Sequence, residues 1–218
     1  METTFSINDS KIGIVPIDKD SETLLSLLEH KSRYIPVIEK MTEKRKREWL
    51  TVRTLLKSLS GEEKEIAYQP NGKPYLTDHS CYISISHTSY RSVCDNNLSE
   101  YAAVILNEKT EVAIDIEMIS PRILKVKDRF LSKEETLAIS SDKEIVHLLL
   151  HWSAKETVLK MLDAENVEFR SQIHISPFEP VAGEWGSFEV CETRTGKRER
   201  FLIRYFVEEN YVLTLCSK

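Results

Sequence analysis

Val112-Ala113-Ile114-Asp115-Ile116-Glu117-Met118-Ile119 is an apolar run broken by two acids two residues apart. A run this short and rich in branched residues reads as a β-strand, and residues i and i+2 of a strand project from the same face. Asp115 and Glu117 therefore stand roughly 6 to 7 Å apart at the backbone and can converge on one cation. Alternation with Ile114 and Ile116 puts both acids on a face opposite the core. Oxygen ligands of this kind suit magnesium, which takes a few carboxylates and completes its shell with waters and substrate phosphates.

A third carboxylate comes from His151-Trp152-Ser153-Ala154-Lys155-Glu156-Thr157-Val158-Leu159-Lys160. At helical spacing Trp152, Glu156 and Lys160 share one face, with Lys155 on its shoulder. Carboxylates for a metal beside lysines for anions describe a phosphate-ester site. Each segment alone also fits a solvated surface: pairs at i and i+4 are common on helices, and an edge strand often carries exposed acids.

The two blocks together resemble the signature of 4′-phosphopantetheinyl transferases of the larger, Sfp-like type. The matching residues are Ala113-Ile114-Asp115-Ile116-Glu117 and Trp152 to Lys160. Three further patches lie in the order of that family: Gly72-Lys73-Pro74-Tyr75-Leu76, Ile83-Ser84-Ile85-Ser86-His87-Thr88 and Arg129-Phe130-Leu131-Ser132-Lys133-Glu134-Glu135. Five short motifs in order over residues 72 to 160 are far more specific than any one of them. There are three departures: Ala113 stands where the family usually has glycine, a methyl that could crowd a backbone near the ligand; Thr88 stands where it has serine; and the stretch Tyr90 to Glu100 is long and polar where a tight connection is expected, which puts a contact there in doubt.

The resemblance implies transfer of the 4′-phosphopantetheine arm of coenzyme A to a serine of an apo acyl- or peptidyl-carrier protein, releasing adenosine 3′,5′-bisphosphate. It makes Asp115, Glu117 and Glu156 the ligands of Mg2+, with coenzyme A as co-substrate. Glu156 is the best candidate for the acceptor of the serine proton, directly or through a metal-bound water, while Lys155 and Lys160 stabilise phosphate charge. Arg47, Arg53, Lys73, Ser86, His87 and Thr88 are the matches for groups that bind coenzyme A, and Glu135 for a residue that supports the site or positions the carrier. Two other readings stay open on the residues alone: a non-catalytic module that binds coenzyme A or a carrier, and a magnesium-dependent phosphoesterase.

Of the basic run Lys44-Arg45-Lys46-Arg47, a solvated helix end accounts for Lys44 and Lys46. The arginine fork suits bidentate phosphate binding. A lone histidine is more often part of a packed core or rim than a ligand, so a role for His87 rests on the motif around it.

The fold class expected is α+β. Thr42 to Leu59 reads as a helix closed by Gly61, Asp142 to Leu162 as the longest helix, and Ser132 with Glu135 has capping-box spacing. Phe5 to Pro16, Cys81 to Ser86, Tyr101 to Leu106, Glu111 to Glu117, Ser187 to Glu192, Arg200 to Val207 and Tyr211 to Cys216 read as strands, with Asn71-Gly72 as a hairpin turn. Subdomains 1–110 and 111–218 each follow a helix-and-antiparallel-sheet plan, consistent with the pseudo-twofold duplication and intervening ligand cleft that the resemblance implies.

With 41 % hydrophobic and 30 % charged residues in 218, the chain reads as soluble and globular, and it has neither a long apolar span nor a secretory leader. A net charge of −5 argues against a dedicated nucleic-acid binder. The four cysteines, Cys81, Cys94, Cys191 and Cys216, have no metal-ligand spacing and read as reduced thiols. A cytoplasmic monomer without nucleic-acid or membrane partners is expected.

Overall fold

The structure, a computed structural model, describes residues 2–91, 98–162 and 164–218. Two compact units divide the chain, Met1–Thr110 and Glu111–Lys218.

The first unit opens with β1 (Thr3–Ile7) and β2 (Ser10–Pro16), an antiparallel hairpin where a single strand-like start was expected. Its two-residue turn, Asn8 and Asp9, has φ of 47° and 62°. Asn and Asp tolerate this left-handed region, so the turn closes without the glycine that normally announces it. Two short helices follow, α1 (Ser21–Ser26) and α2 (Lys31–Ile38), then the long α3 (Glu43–Ser60). The Thr42 side chain caps α3 by accepting the Arg45 N–H, and Gly61 ends it at φ 80°.

The hairpin of β3 (Ile66–Tyr68) and β4 (Pro74–Leu76) turns at Gly72, and β5 (Tyr82–Arg91) and β6 (Leu98–Asn107) complete a sheet of order β1-β2-β6-β5. Val52, Leu55 and Leu56 of α3 pack on Ile83, Ala102, Val104 and Leu106 of that sheet. Asp95-Asn96-Asn97, the polar loop between the last two strands, and Cys94 lie outside the described residues.

The second unit begins with β7 (Val112–Met118). Two 3-10 turns, Pro121–Lys125 and Lys127–Arg129, follow it. Next come α4 (Lys133–Ala138), α5 (Glu144–Met161), α6 (Phe169–Gln172), β8 (Ile173–Ile175), β9 (Gly186–Glu192), β10 (Arg200–Val207) and β11 (Tyr211–Ser217). The antiparallel sheet runs β7-β11-β10-β9-β8. The architecture is thus α+β. Among the described residues no helix is long and apolar enough to cross a membrane.

Leu150, Ala154 and Val158 of α5 lie in one buried cluster with Ala113, Val190, Ile203 and Val212 of the sheet. The Ala113 methyl is therefore taken up by the core. It also shows which way the strand faces. Asp115 and Glu117 share the side of Ala113, so they point toward α5, while Ile114, Ile116 and Met118 are buried on the other side. The expectation that the acids lie opposite the core is overturned, because this strand is covered on both faces.

His147 and His151 are core residues of α5, packed around Phe178. Burial pushes the His151 imidazole down to about 3, with the hydrogen bond to the His147 carbonyl acting in the opposite sense. The unfolded chain takes up this proton near pH 6.5 and the folded chain only near 3, so stability falls as pH drops through that window and is unaffected above it. His151→Leu should flatten the decline: between pH 7 and pH 5 its melting temperature should fall less than that of the wild type.

Candidate functional site

Helix α5 crosses β7 and β11 with Trp152, Glu156 and Lys160 on its strand-facing side. The Trp152 indole N–H donates to Glu117 Oε1 at 2.8 Å. Lys160 Nζ donates to Asp115 Oδ1 at 2.9 Å and to the Ile114 carbonyl at 2.7 Å. Asp115 is only 5 % exposed. Between these contacts the Glu156 carboxyl is pushed up to about 7, chiefly by burial, then by the Asp115 charge, with Lys160 opposing.

The helix is held at this height by hydroxyls. Thr214, the cross-strand partner of Asp115, shares hydrogen bonds of 2.8 Å with Ser153 and 2.7 Å with Thr157, and all three are fully buried. Such a cluster has no signal in a single sequence, since Ser and Thr in a helix and a strand are ordinary until they meet.

Lys155, expected beside the phosphates, is fully buried, and its ammonium lies within 2.7–2.9 Å of Glu135 Oε2 and the carbonyls of Phe130, Phe169 and Ile173. Neighbours on a helix diverge by about 100°, so with Glu156 toward β7, Lys155 points into the interior. Burial pulls its pKa down against the pull of Glu135. Glu135 is likewise interior: it closes the capping box with Ser132 and accepts the Ile175 N–H.

In the first unit the sequence-selected residues do not converge on one another. Arg47 and Arg53 are six positions apart on α3, hence about 120° apart around it. Arg47 bonds Glu100 Oε2 and the Ile17 carbonyl, each at 2.6 Å. Arg53 is 5 % exposed, stacked over Trp49 and bonded to the Trp49 carbonyl. Strand alternation separates the motif too: Ser86 and Thr88 share one face of β5, and His87 has the other, toward α3. Lys73 sits on the β3–β4 turn, where its N–H donates to Asn71 Oδ1.

His87 meets a residue the sequence reading passed over. Arg45 Nη1 lies 3.2 Å from His87 Nε2, which must accept because a guanidinium only donates, and also bonds Glu48. Lys44 bonds Ser89, two residues along the same face as His87. The signal was available in the spacing: Arg45, Trp49 and Arg53 follow at i, i+4 and i+8.

Asp115, Glu117 and Glu156 are hard oxygen donors, and the charged form of Glu156, disfavoured chiefly by burial and then by the Asp115 charge, is one that a cation would favour. In kind, the residues fit magnesium. Among the described residues, however, no three His, Cys, Asp or Glu side chains stand close enough together to hold a metal, and the Lys160 ammonium is bonded to Asp115 Oδ1.

Buried Asp115 and half-buried Glu117 thus face a helix that supplies a further half-buried acid, Glu156, and Lys160. Residues 111–216 match the family model of the 4′-phosphopantetheinyl transferase superfamily, and the second unit belongs to that family of transferases. No curated protein matches the chain.

Proposed function

We propose that this protein transfers the 4′-phosphopantetheine arm of coenzyme A to a serine of an apo acyl- or peptidyl-carrier protein, releasing adenosine 3′,5′-bisphosphate. The observation that carries the reading is the Asp115–Lys160–Glu156 group inside the part of the chain that matches the family.

Asp115, Glu117 and Glu156 are the proposed ligands of magnesium, which when bound supplies positive charge to the pyrophosphate. Glu156, once deprotonated, is the proposed acceptor of the carrier serine's proton, and its raised pKa keeps it a competent base near neutral pH. Lys160 supplies an ammonium to the phosphate whose charge grows as the bond to the leaving nucleotide breaks. Arg45, Lys44 and His87 are the proposed phosphate contacts of the first unit, in exchange for the present contacts of Lys44 with Ser89, of Arg45 with Glu48, and of Arg45 with His87.

Incubation of apo carrier proteins with coenzyme A and magnesium, followed by intact-mass measurement, tests the transfer directly. A carrier heavier by one phosphopantetheine arm is expected; release of inorganic phosphate with no modified carrier would point to a phosphoesterase instead. His87→Ala and Arg45→Ala should each weaken coenzyme A binding by about tenfold with a smaller effect on turnover, because the phosphates they hold change little in the reaction. Titration calorimetry with coenzyme A checks this.

Arg47→Ala should act differently. It removes the nearer of two cations from Glu100, which is 5 % exposed and keeps Lys44 at 3.8 Å; because Arg47 is itself partly exposed, the cost is on the order of 2 kcal/mol, below the roughly 3 to 5 kcal/mol of breaking a fully buried pair. A fall in the urea midpoint larger than that of Arg45→Ala is the expected result.

A further inference from the structure

We propose that Lys155 is a positioning residue: together with Glu135 it forms a buried charge lock that sets where α5 presents Glu156, and it does not touch coenzyme A. The inference rests on the role given to Glu156 above.

An ammonium has three protons, and the oxygens around Lys155 Nζ already exceed that number. They come from four places in the chain: Phe130 just before α4, Glu135 within α4, Phe169 in α6 and Ile173 at the start of β8. A cation without water is tolerated only where a carboxylate and carbonyl oxygens replace its hydration, and this site does so fully. Glu135 extends the lock, because Oε2 also accepts the Ser132 N–H at 2.8 Å and Oε1 accepts the Ile175 N–H at 2.9 Å.

One residue further along α5 from Glu156, Thr157 is tied to Thr214, the strand partner of Asp115. Glu156 thus lies between two buried polar ties, one to the α4–β8 side and one to the strand that carries the acids' partner. A side chain placed so tightly needs its helix in one register, and the Lys155 lock supplies half of that constraint.

The test compares wild type, Lys155→Met, Glu135→Gln and the double variant in four readings: turnover on an apo carrier, the dissociation constant of coenzyme A, melting temperature, and the rise in melting temperature on adding magnesium alone. Each single variant leaves one buried charge without its partner, so melting temperature should drop by roughly 10 °C. Turnover should fall about 10- to 100-fold and the magnesium-induced rise should shrink, while the dissociation constant of coenzyme A stays within about twofold. In the double variant both charges are gone; with Oε1 kept on the Ile175 N–H, the Gln amide nitrogen donates to the carbonyls that Lys155 served and gives up only the bond from the Ser132 N–H. Melting temperature, magnesium response and most of the turnover should return.

A tenfold or greater loss of coenzyme A affinity in Lys155→Met, not repaired in the double variant, would overturn the proposal, since removing Glu135 cannot restore a lost phosphate contact. If a single variant fails to fold, the double variant decides on the same readings. Failure of the functional reading shows up separately, as a wild-type protein that modifies no carrier. In that case the magnesium response and the melting temperatures still judge the lock: recovery of both in the double variant supports it, and no recovery overturns it.

Discussion

Glu156→Gln should lose about 100-fold or more in turnover while the metal-free protein becomes more stable above pH 7. The loss follows because the amide cannot accept the serine proton and is a poor ligand for a hard cation. The gain in stability follows from linkage. Glu156 has a folded-state pKa of about 7, above the ordinary 4.5, so between these values the folded chain holds a proton that the unfolded chain has released. Stability from this group is therefore fully present below pH 4.5 and is lost as pH rises toward 7. Gln never carries the charge, so the variant should match the wild type at pH 4 and exceed it at pH 8 by on the order of 2 kcal/mol, discounted for the solvent-reached part of the carboxyl. Urea unfolding at both pH values in the presence of a chelator checks the sign. An unaltered pH profile of turnover in Glu156→Gln at saturating magnesium would move the proton acceptor to another group, such as Glu117.

Asp115→Asn should be the second most damaging change, with turnover down at least about 100-fold, the upper end of what even the outer hydrogen-bond partners of a metal site contribute. The substitution keeps the shape but removes the charge that Lys160 pairs with and that helps push Glu156 up. Hence a second, independent effect is expected: the Glu156 carboxyl should titrate lower in Asp115→Asn than in the wild type. Following the Glu156 carboxyl by carbon-detected NMR in the metal-free protein reads this without reference to activity. A Glu156 titration that does not move would mean that burial alone raises it, and that Asp115 lies too far away to share a cation with it.

Acid pair, helical acid and lysine were legible because each signal is short-range. A period of two puts Asp115 with Glu117, and a period near 3.6 puts Trp152 with Glu156 and Lys160. The same local rules announced the Ser132–Glu135 capping box, the Gly61 stop and most strands of both units. They failed where a choice depends on something distant. Helix periodicity marks Lys155 only as adjacent to the acidic face; its burial is decided by carbonyls from residues 130, 169 and 173, which no local pattern brings together. In the basic run the motif match singled out Arg47, and it took β5 and β6 to separate the two arginines: Arg45 went to His87 and Arg47 to Glu100.

By itself, then, the sequence determined the α+β class, the family signature and the identity of the acids, because these depend on residue type and on backbone periods that hold in any context. The tertiary structure decided which charged groups are available. Which face of β7 meets α5, whether an ammonium finds carbonyls or solvent, and whether two arginines on one helix share a ligand all depend on desolvation and on long-range neighbours. A buried charge is stable only with partners contributed by other segments, so its role becomes visible only when those segments are folded around it.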